Sequence, residues 1–191
     1  MKLVLAPALL LLAACTATSG AATRATDSTS HTQLSLYLGQ RALEEDDYAP
    51  VDEQAMIAGE VSNVPASTGG LGWELGLAVS ADEDDVAGVD VNGRTGEFYG
   101  GVRTTFGSGT LHPYLGAGLS LVAAAVEVAG AGDEDDGSLA AYVHGGVLLA
   151  PSPKFAFGLD ARVLLGSDLE IAGVDTDADY AQLALVLAFE L

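Results

Sequence analysis

From residue 180 to residue 191, apolar side chains alternate with small or polar ones without a break. Ala181, Leu183, Leu185, Leu187, Phe189 and Leu191 fall on one face, and Tyr180, Gln182, Ala184, Val186, Ala188 and Glu190 on the other. A two-residue repeat belongs to an extended strand whose faces meet different surroundings. The same alternation marks seven earlier stretches: 33–42, 55–63, 70–80, 95–106, 111–128, 139–149 and 155–165. It is most regular in 70–80, where Trp73, Leu75, Leu77 and Val79 oppose Glu74, Gly76, Ala78 and Ser80. In 111–128 a run of three alanines at 123–125 blurs the pattern and Glu127 falls on the apolar register, which predicts a bulge or a projection. A helical reading fails, because Gly recurs in nearly every stretch and the apolar spacing is two rather than 3.6 residues.

The connections between these strands differ in kind. Segments 43–53, 82–93, 130–137 and 168–179 hold 20 of the 27 acidic residues, whereas 64–69, 107–110 and 151–153 hold none. In an up-and-down meander, alternate connections lie at the same end. One end is therefore long-looped and acidic, the other tight and uncharged. The expectation is an all-β fold, an eight-stranded antiparallel up-and-down transmembrane β-barrel over residues 32–191. An even strand number puts both termini at the short-turn end, the periplasmic end of outer-membrane barrels.

A soluble lipocalin-like calyx would show similar alternation with its apolar face turned inward. The second face separates the two readings. A solvated face is rich in Lys, Glu, Thr and Gln; here it is mostly Gly, Ala, Ser and Tyr. Its few charges have both signs: Arg41, Glu60, Glu74, Glu97, Arg103, Asp160 and Arg162. That set suits a narrow lumen in which opposite charges neutralise one another as a structural network. A basic residue facing mid-membrane hydrocarbon costs about 2–4 kcal/mol, so the register of these charges points the apolar face at lipid.

Composition narrows the partners. The net charge of −20 repels phosphate backbones and excludes nucleic acid. A single Cys allows no intramolecular disulfide and no Cys-based metal or redox motif. Lys2 followed by apolar residues 3–12 reads as a targeting segment. Leu12-Ala13-Ala14-Cys15 resembles the lipobox of bacterial lipoproteins. That resemblance implies a signal peptide over 1–14 and a lipid on Cys15; cleavage after Ala21 or Ala22 is the alternative. Residues 15–31, rich in Thr, Ser, Ala and Gly, are expected to form a flexible tether.

The Gly-rich alternating strands, the segment His112-Pro-Tyr-Leu-Gly-Ala-Gly-Leu-Ser120 and the aromatic near the C-terminus resemble small outer-membrane β-barrel proteins of the OmpA/OmpX type. The resemblance covers about residues 32–191. It implies the outer membrane of a Gram-negative bacterium, surrounding outer-membrane lipid and insertion by the barrel assembly machinery. The family's last strand commonly ends in Phe, whereas this one ends Phe189-Glu190-Leu191.

Some small barrels modify lipid A with a His, a Ser and a carboxylate. The histidines here are His31, His112 and His144, and none stands in a His-x-Ser pairing. His144 falls on the luminal face, where a hydrogen bond to Tyr or Glu is the expected role. The luminal charges suit salt bridges rather than an ion path. Ca²⁺ or Mg²⁺ at 82–85, 133–136 and 175–179 is the remaining cofactor candidate. Asp175, Asp177 and Asp179 match the opening of a calcium loop, but Tyr180 replaces the required Gly and Val186 the final acid. No catalytic, cofactor-binding or metal residue is assigned. The expectation is a non-enzymatic outer-membrane barrel with a structural or surface-interaction role and acidic extracellular loops. The alternatives are a lipid-modifying enzyme, a narrow ion pore and a soluble lipocalin-like lipoprotein.

Overall fold

A sheet that turns an apolar face outward cannot leave an edge unpaired in hydrocarbon, and closing on itself removes both edges. The computed structural model, which describes residues 30–44, 50–65, 67–86, 88–107, 109–128, 132–171 and 174–191, is such a closed sheet. Its strands are β1 (His31–Leu43), β2 (Glu53–Val64), β3 (Leu71–Val86), β4 (Val89–Thr105), β5 (Leu111–Val128), β6 (Gly132–Ser152), β7 (Phe155–Leu165) and β10 (Tyr180–Glu190). Each is antiparallel to its sequence neighbour. β1 and β10 close the seam, in register from Gln33 with Glu190 to Leu43 with Tyr180. β8 (Leu169–Ile171) and β9 (Val174–Thr176) form a separate hairpin between β7 and β10. The described residues contain no helix.

The alternation sets which side chains point where. Leu38, Ile57, Trp73, Leu77, Phe98, Leu119 and Leu185 stand on the outside and are exposed. The opposite registers, rich in Ser, Tyr, Gly and charge, are buried inside. This is the reverse of a soluble calyx: the barrel is polar within and apolar without.

The structure departs from the sequence reading or sharpens it in four places. Residues 82–86, 89–93 and 132–137 are not loop but the far halves of long hairpins, paired as far as Val86 with Val89 and Val128 with Gly132. β2 pairs with β3 only up to Ala55 with Ala81, and β7 with β6 only from Ala141 with Leu165. Beyond those rows β3–β6 continue together as a four-stranded sheet standing above the barrel. Second, of the bulge or projection expected around 123–127 it is the projection that occurs: β5 runs on into this sheet, and its pairing is unbroken on both flanks. The alanines hide the alternation because they sit on both faces, Ala123 outside and Ala124 inside, without changing it. The register shift lies instead between Leu149 and Ser152, around Pro151, whose missing N–H cannot serve the ladder. Third, strand pairing begins at His31, opposite Val64, one residue inside the expected tether. Fourth, part of 168–179 is ordered into β8 and β9. The proposed signal peptide, Cys15 and the tether up to residue 29 lie outside the described residues, as do acidic positions 45–47.

At the acidic end, Leu43, Val122, Leu164, Leu169 and Ala178 are buried in one cluster and cover the interior with apolar side chains. The opposite end, with the termini and short turns, opens into a cavity of about 360 Å³.

Candidate functional site

Inward-facing positions on facing strands lie close enough for side chains to meet across the lumen, and the interior of an eight-stranded barrel is just wide enough to be filled by them. All seven charged residues singled out from the sequence point inward and are buried: Arg41, Glu60, Glu74, Glu97, Arg103, Asp160 and Arg162. They gather in two tiers along the barrel axis.

The tier nearer the acidic end is built on Glu97 of β4. Arg41 of β1 donates from Nη2 to Glu97 Oε2 at 2.8 Å and from Nη1 to Thr95 Oγ1 at 2.8 Å. Its Nη2 also reaches Gln182 Oε1 of β10 at 3.0 Å. Arg162 of β7 donates to the other Glu97 oxygen, to which Ser120 adds a bond of 2.7 Å. Tyr180 donates to Glu97 Oε2 at 2.6 Å, and the Arg41 guanidinium lies 3.8 Å from the centre of its ring. One carboxylate thus serves two guanidiniums and two hydroxyls from four other strands.

The second tier is centred on His144 of β6. Its Nδ1 lies 3.0 Å from Asp160 Oδ2 and its Nε2 is 3.1 Å from Glu74. Tyr114 and Tyr142 donate to Asp160 at 2.7 Å and to Glu74 at 2.6 Å. Beside them Glu60 accepts from Tyr37 at 3.1 Å, from Tyr99 at 3.3 Å and from Arg103 Nη1 at 3.0 Å. Arg103 lies over the Tyr114 ring and Arg162 between the rings of Tyr99 and Tyr142. With three guanidiniums against four carboxylates in the described interior, the imidazole between Glu74 and Asp160 is the remaining group able to balance charge.

The sequence reading missed the tyrosines as members of this network. Tyr37, Tyr99, Tyr114, Tyr142 and Tyr180 each put a hydroxyl on one of the four carboxylates. The signal that finds them is glycine on an inward register. A Cβ on Gly76 would run into the Tyr99 ring, and one on Gly116 into His144 and Glu74. Large inward side chains need such bare backbone on a facing strand.

Among the described residues Glu60, Glu74 and His144 form the one group whose potential metal-ligand atoms lie within 4.8 Å of one another. Both imidazole nitrogens already face carboxylates and Glu60 already holds Arg103, so an ion there would have to displace those partners. No Ser hydroxyl joins His144 among its described hydrogen bonds, and the ring is enclosed by Tyr114 and Tyr142. His31 and His112 instead line the cavity at the terminal end. Of the calcium-like triplet, Asp179 accepts from the backbone N–H groups of Gly166 and Ser167 at 2.9 Å each, fixing the turn after β7. Asp85 similarly accepts from Gly88 N–H at 2.8 Å in the β3–β4 turn.

The sequence matches the family described as "Outer membrane protein beta-barrel domain" over residues 8–189. No curated protein matches it in sequence. Several solved structures share the fold. Neisserial surface protein A is 14% identical with a TM-score of 0.58, covering 87% of this chain and 100% of its own. Ail, the attachment invasion locus protein of Yersinia pestis, in complex with the heparin analogue sucrose octasulfate, is 13% identical with a TM-score of 0.59, covering 84% of this chain and 97% of its own. The N-terminal β-barrel domain of Pseudomonas aeruginosa OprF is 13% identical with a TM-score of 0.51, covering 85% of this chain and 100% of its own.

Proposed function

Because the chain belongs to the outer membrane protein β-barrel family, we propose that it is a non-enzymatic outer-membrane protein whose barrel is a support and whose working surface is the acidic sheet above it. The observation that carries this reading is the contrast between the two parts. The interior is blocked by the paired tiers and covered at the acidic end by apolar side chains, whereas β3–β6 continue past the barrel and carry Asp82, Glu83, Asp84, Asp85, Asp90 and Glu127. Asp85 faces Asp90 across the ladder, while Glu127 is matched by Arg94 at 3.4 Å. Like charges set opposite each other, as at 85 and 90, cost stability, which favours a role for them outside the fold.

The partner of such a surface is cationic: a basic segment of another protein, or Ca²⁺ and Mg²⁺ spanning the carboxylates. The Ail structure holds a sulfated polyanion; this chain offers the opposite sign at its acidic end. The termini lie at the other end, which in this reading is periplasmic. A lipid on Cys15 would tether the N-terminus there. The buried, doubly bonded His144 argues against a lipid-modifying enzyme, which needs its His open to lipid.

The test uses the full barrel in lipid nanodiscs, titrated with Ca²⁺, Mg²⁺ and a lysine-rich peptide by calorimetry. Binding that is lost on changing 82–85 and 133–136 to Asn and Gln supports the reading. Heatless titrations with all three at millimolar concentration remove it.

A further inference from the structure

The cavity of about 360 Å³ at the terminal end is lined mainly by the inward register of the strands, so it is the lower lumen itself. Its lining runs against the character of the chain. In a protein with 27 acidic and 7 basic residues, the cavity meets Arg103, Lys154, His31 and His112 but only one carboxylate, Glu190. Arg103 sits at the inner limit of this space, buried, with one guanidinium nitrogen on Glu60 and with its Nε–H unpartnered. A buried donor without an acceptor is costly and rare in a native protein. Arg103 is also pinned over Tyr114, its guanidinium carbon 3.8 Å from the ring centre, which fixes its plane. The wall from β6 through β7 to β10 is of another kind: Leu148, Ala150, Ala156 and Ala188 are apolar. N–H donors beside a hydrocarbon wall are what an anionic head with an apolar body requires.

We propose that this vestibule is a binding site for a small organic anion, a carboxylate or phosphate group carried on a short alkyl chain. The anion enters between the β4–β5 and β6–β7 turns, where His112 and Lys154 stand. Its oxygens take N–H donors from His31, His112 and Lys154 and turn toward Arg103, and its alkyl body lies along Leu148, Ala156 and Ala188. The site is separate from the acidic sheet at the other end and independent of what that surface binds.

Hexanoate and hexyl phosphate are titrated into the full barrel in nanodiscs, with hexylamine and inorganic phosphate as comparisons. The Leu148 methyl and His112 imidazole resonances are followed by NMR. The expected result is a saturable shift of both signals with one or both anions and none with hexylamine. Which anion binds tells the carboxylate from the phosphate head. The double variant His112→Gln, Lys154→Gln should weaken binding at least about tenfold, roughly 1.4 kcal/mol. Three results overturn the proposal: no saturable shift with either anion, equal binding of hexylamine, or unchanged affinity in the double variant. Inorganic phosphate binding as tightly as hexyl phosphate overturns the apolar half. If the double variant does not fold, the anion-against-amine comparison on the native chain decides.

Discussion

Arg41 and Glu97, 56 positions apart in the chain, meet inside the barrel with Nη2 and Oε2 2.8 Å apart and both side chains fully buried. Buried ion pairs are retained only where hydrogen bonds complete them, and here Thr95, Gln182, Ser120 and Tyr180 do so. Glu97→Gln would leave the guanidiniums of Arg41 and Arg162 without their shared counter-charge. Removing one partner of such a group costs about 3–5 kcal/mol. Urea unfolding in lipid vesicles should show a midpoint well below that of the native chain; an unchanged midpoint would discount the network as a source of stability.

Glycine at 116 leaves room for the His144 ring, whereas Gly59 on the outer face has nothing within 4 Å. Gly116→Val is expected to destabilise by about 1–3 kcal/mol or to block folding, as overpacking does. Gly59→Ala should be near neutral. Heat-modifiable electrophoretic migration in detergent separates folded from unfolded forms of both.

Leu77 is 62% exposed on the outer face of β3, between Gly59 and Phe98 on the flanking strands. Glu83 shares that register higher up, in the sheet above the barrel. Leu77→Arg should lose about 2–4 kcal/mol of folding free energy in bilayers, the cost of a basic side chain at mid-membrane. Glu83→Arg should lose almost none. Equal losses would put the membrane boundary in the wrong place.

Planar bilayers holding the native protein should show no conductance above background, since both tiers and the apolar cover block the lumen above the terminal-end cavity. Step-like currents would restore the ion-pore reading.

Growth with a radiolabelled fatty acid should label the chain through Cys15, and Cys15→Ser should abolish the label. Both forms should stay with membranes through an alkaline wash, because the barrel rather than the lipid holds them. Native chain without label favours cleavage after Ala21 or Ala22.

The fold was readable because alternation and acid distribution report on separate things and agree. Leu183, Leu185 and Leu187 state which face meets lipid, and the acid-free turns at 64–69, 107–110 and 151–153 state which connections share an end. β5 and β7 begin and end where the pattern does. What escaped was the height of the sheet above the barrel. Asp82–Gly93 and Glu127–Asp133 are ladder pairs, yet charged and Gly-rich residues read as loop, since in water a strand carries no apolar face to betray it. The inward charges were legible one by one from register. Their partners were not, because Arg41 finds Glu97 through the stagger of strands around a closed barrel, which no spacing along one strand records.

The seam between β1 and β10 joins nearly the first described residue to nearly the last, Gln33 to Glu190. A chain halted anywhere before residue 180 would keep two open margins of N–H and C=O groups, each too costly to leave in hydrocarbon. No shortened product can therefore settle in the bilayer as a smaller stable sheet. Insertion becomes an all-or-none checkpoint, in which the membrane admits only finished chains.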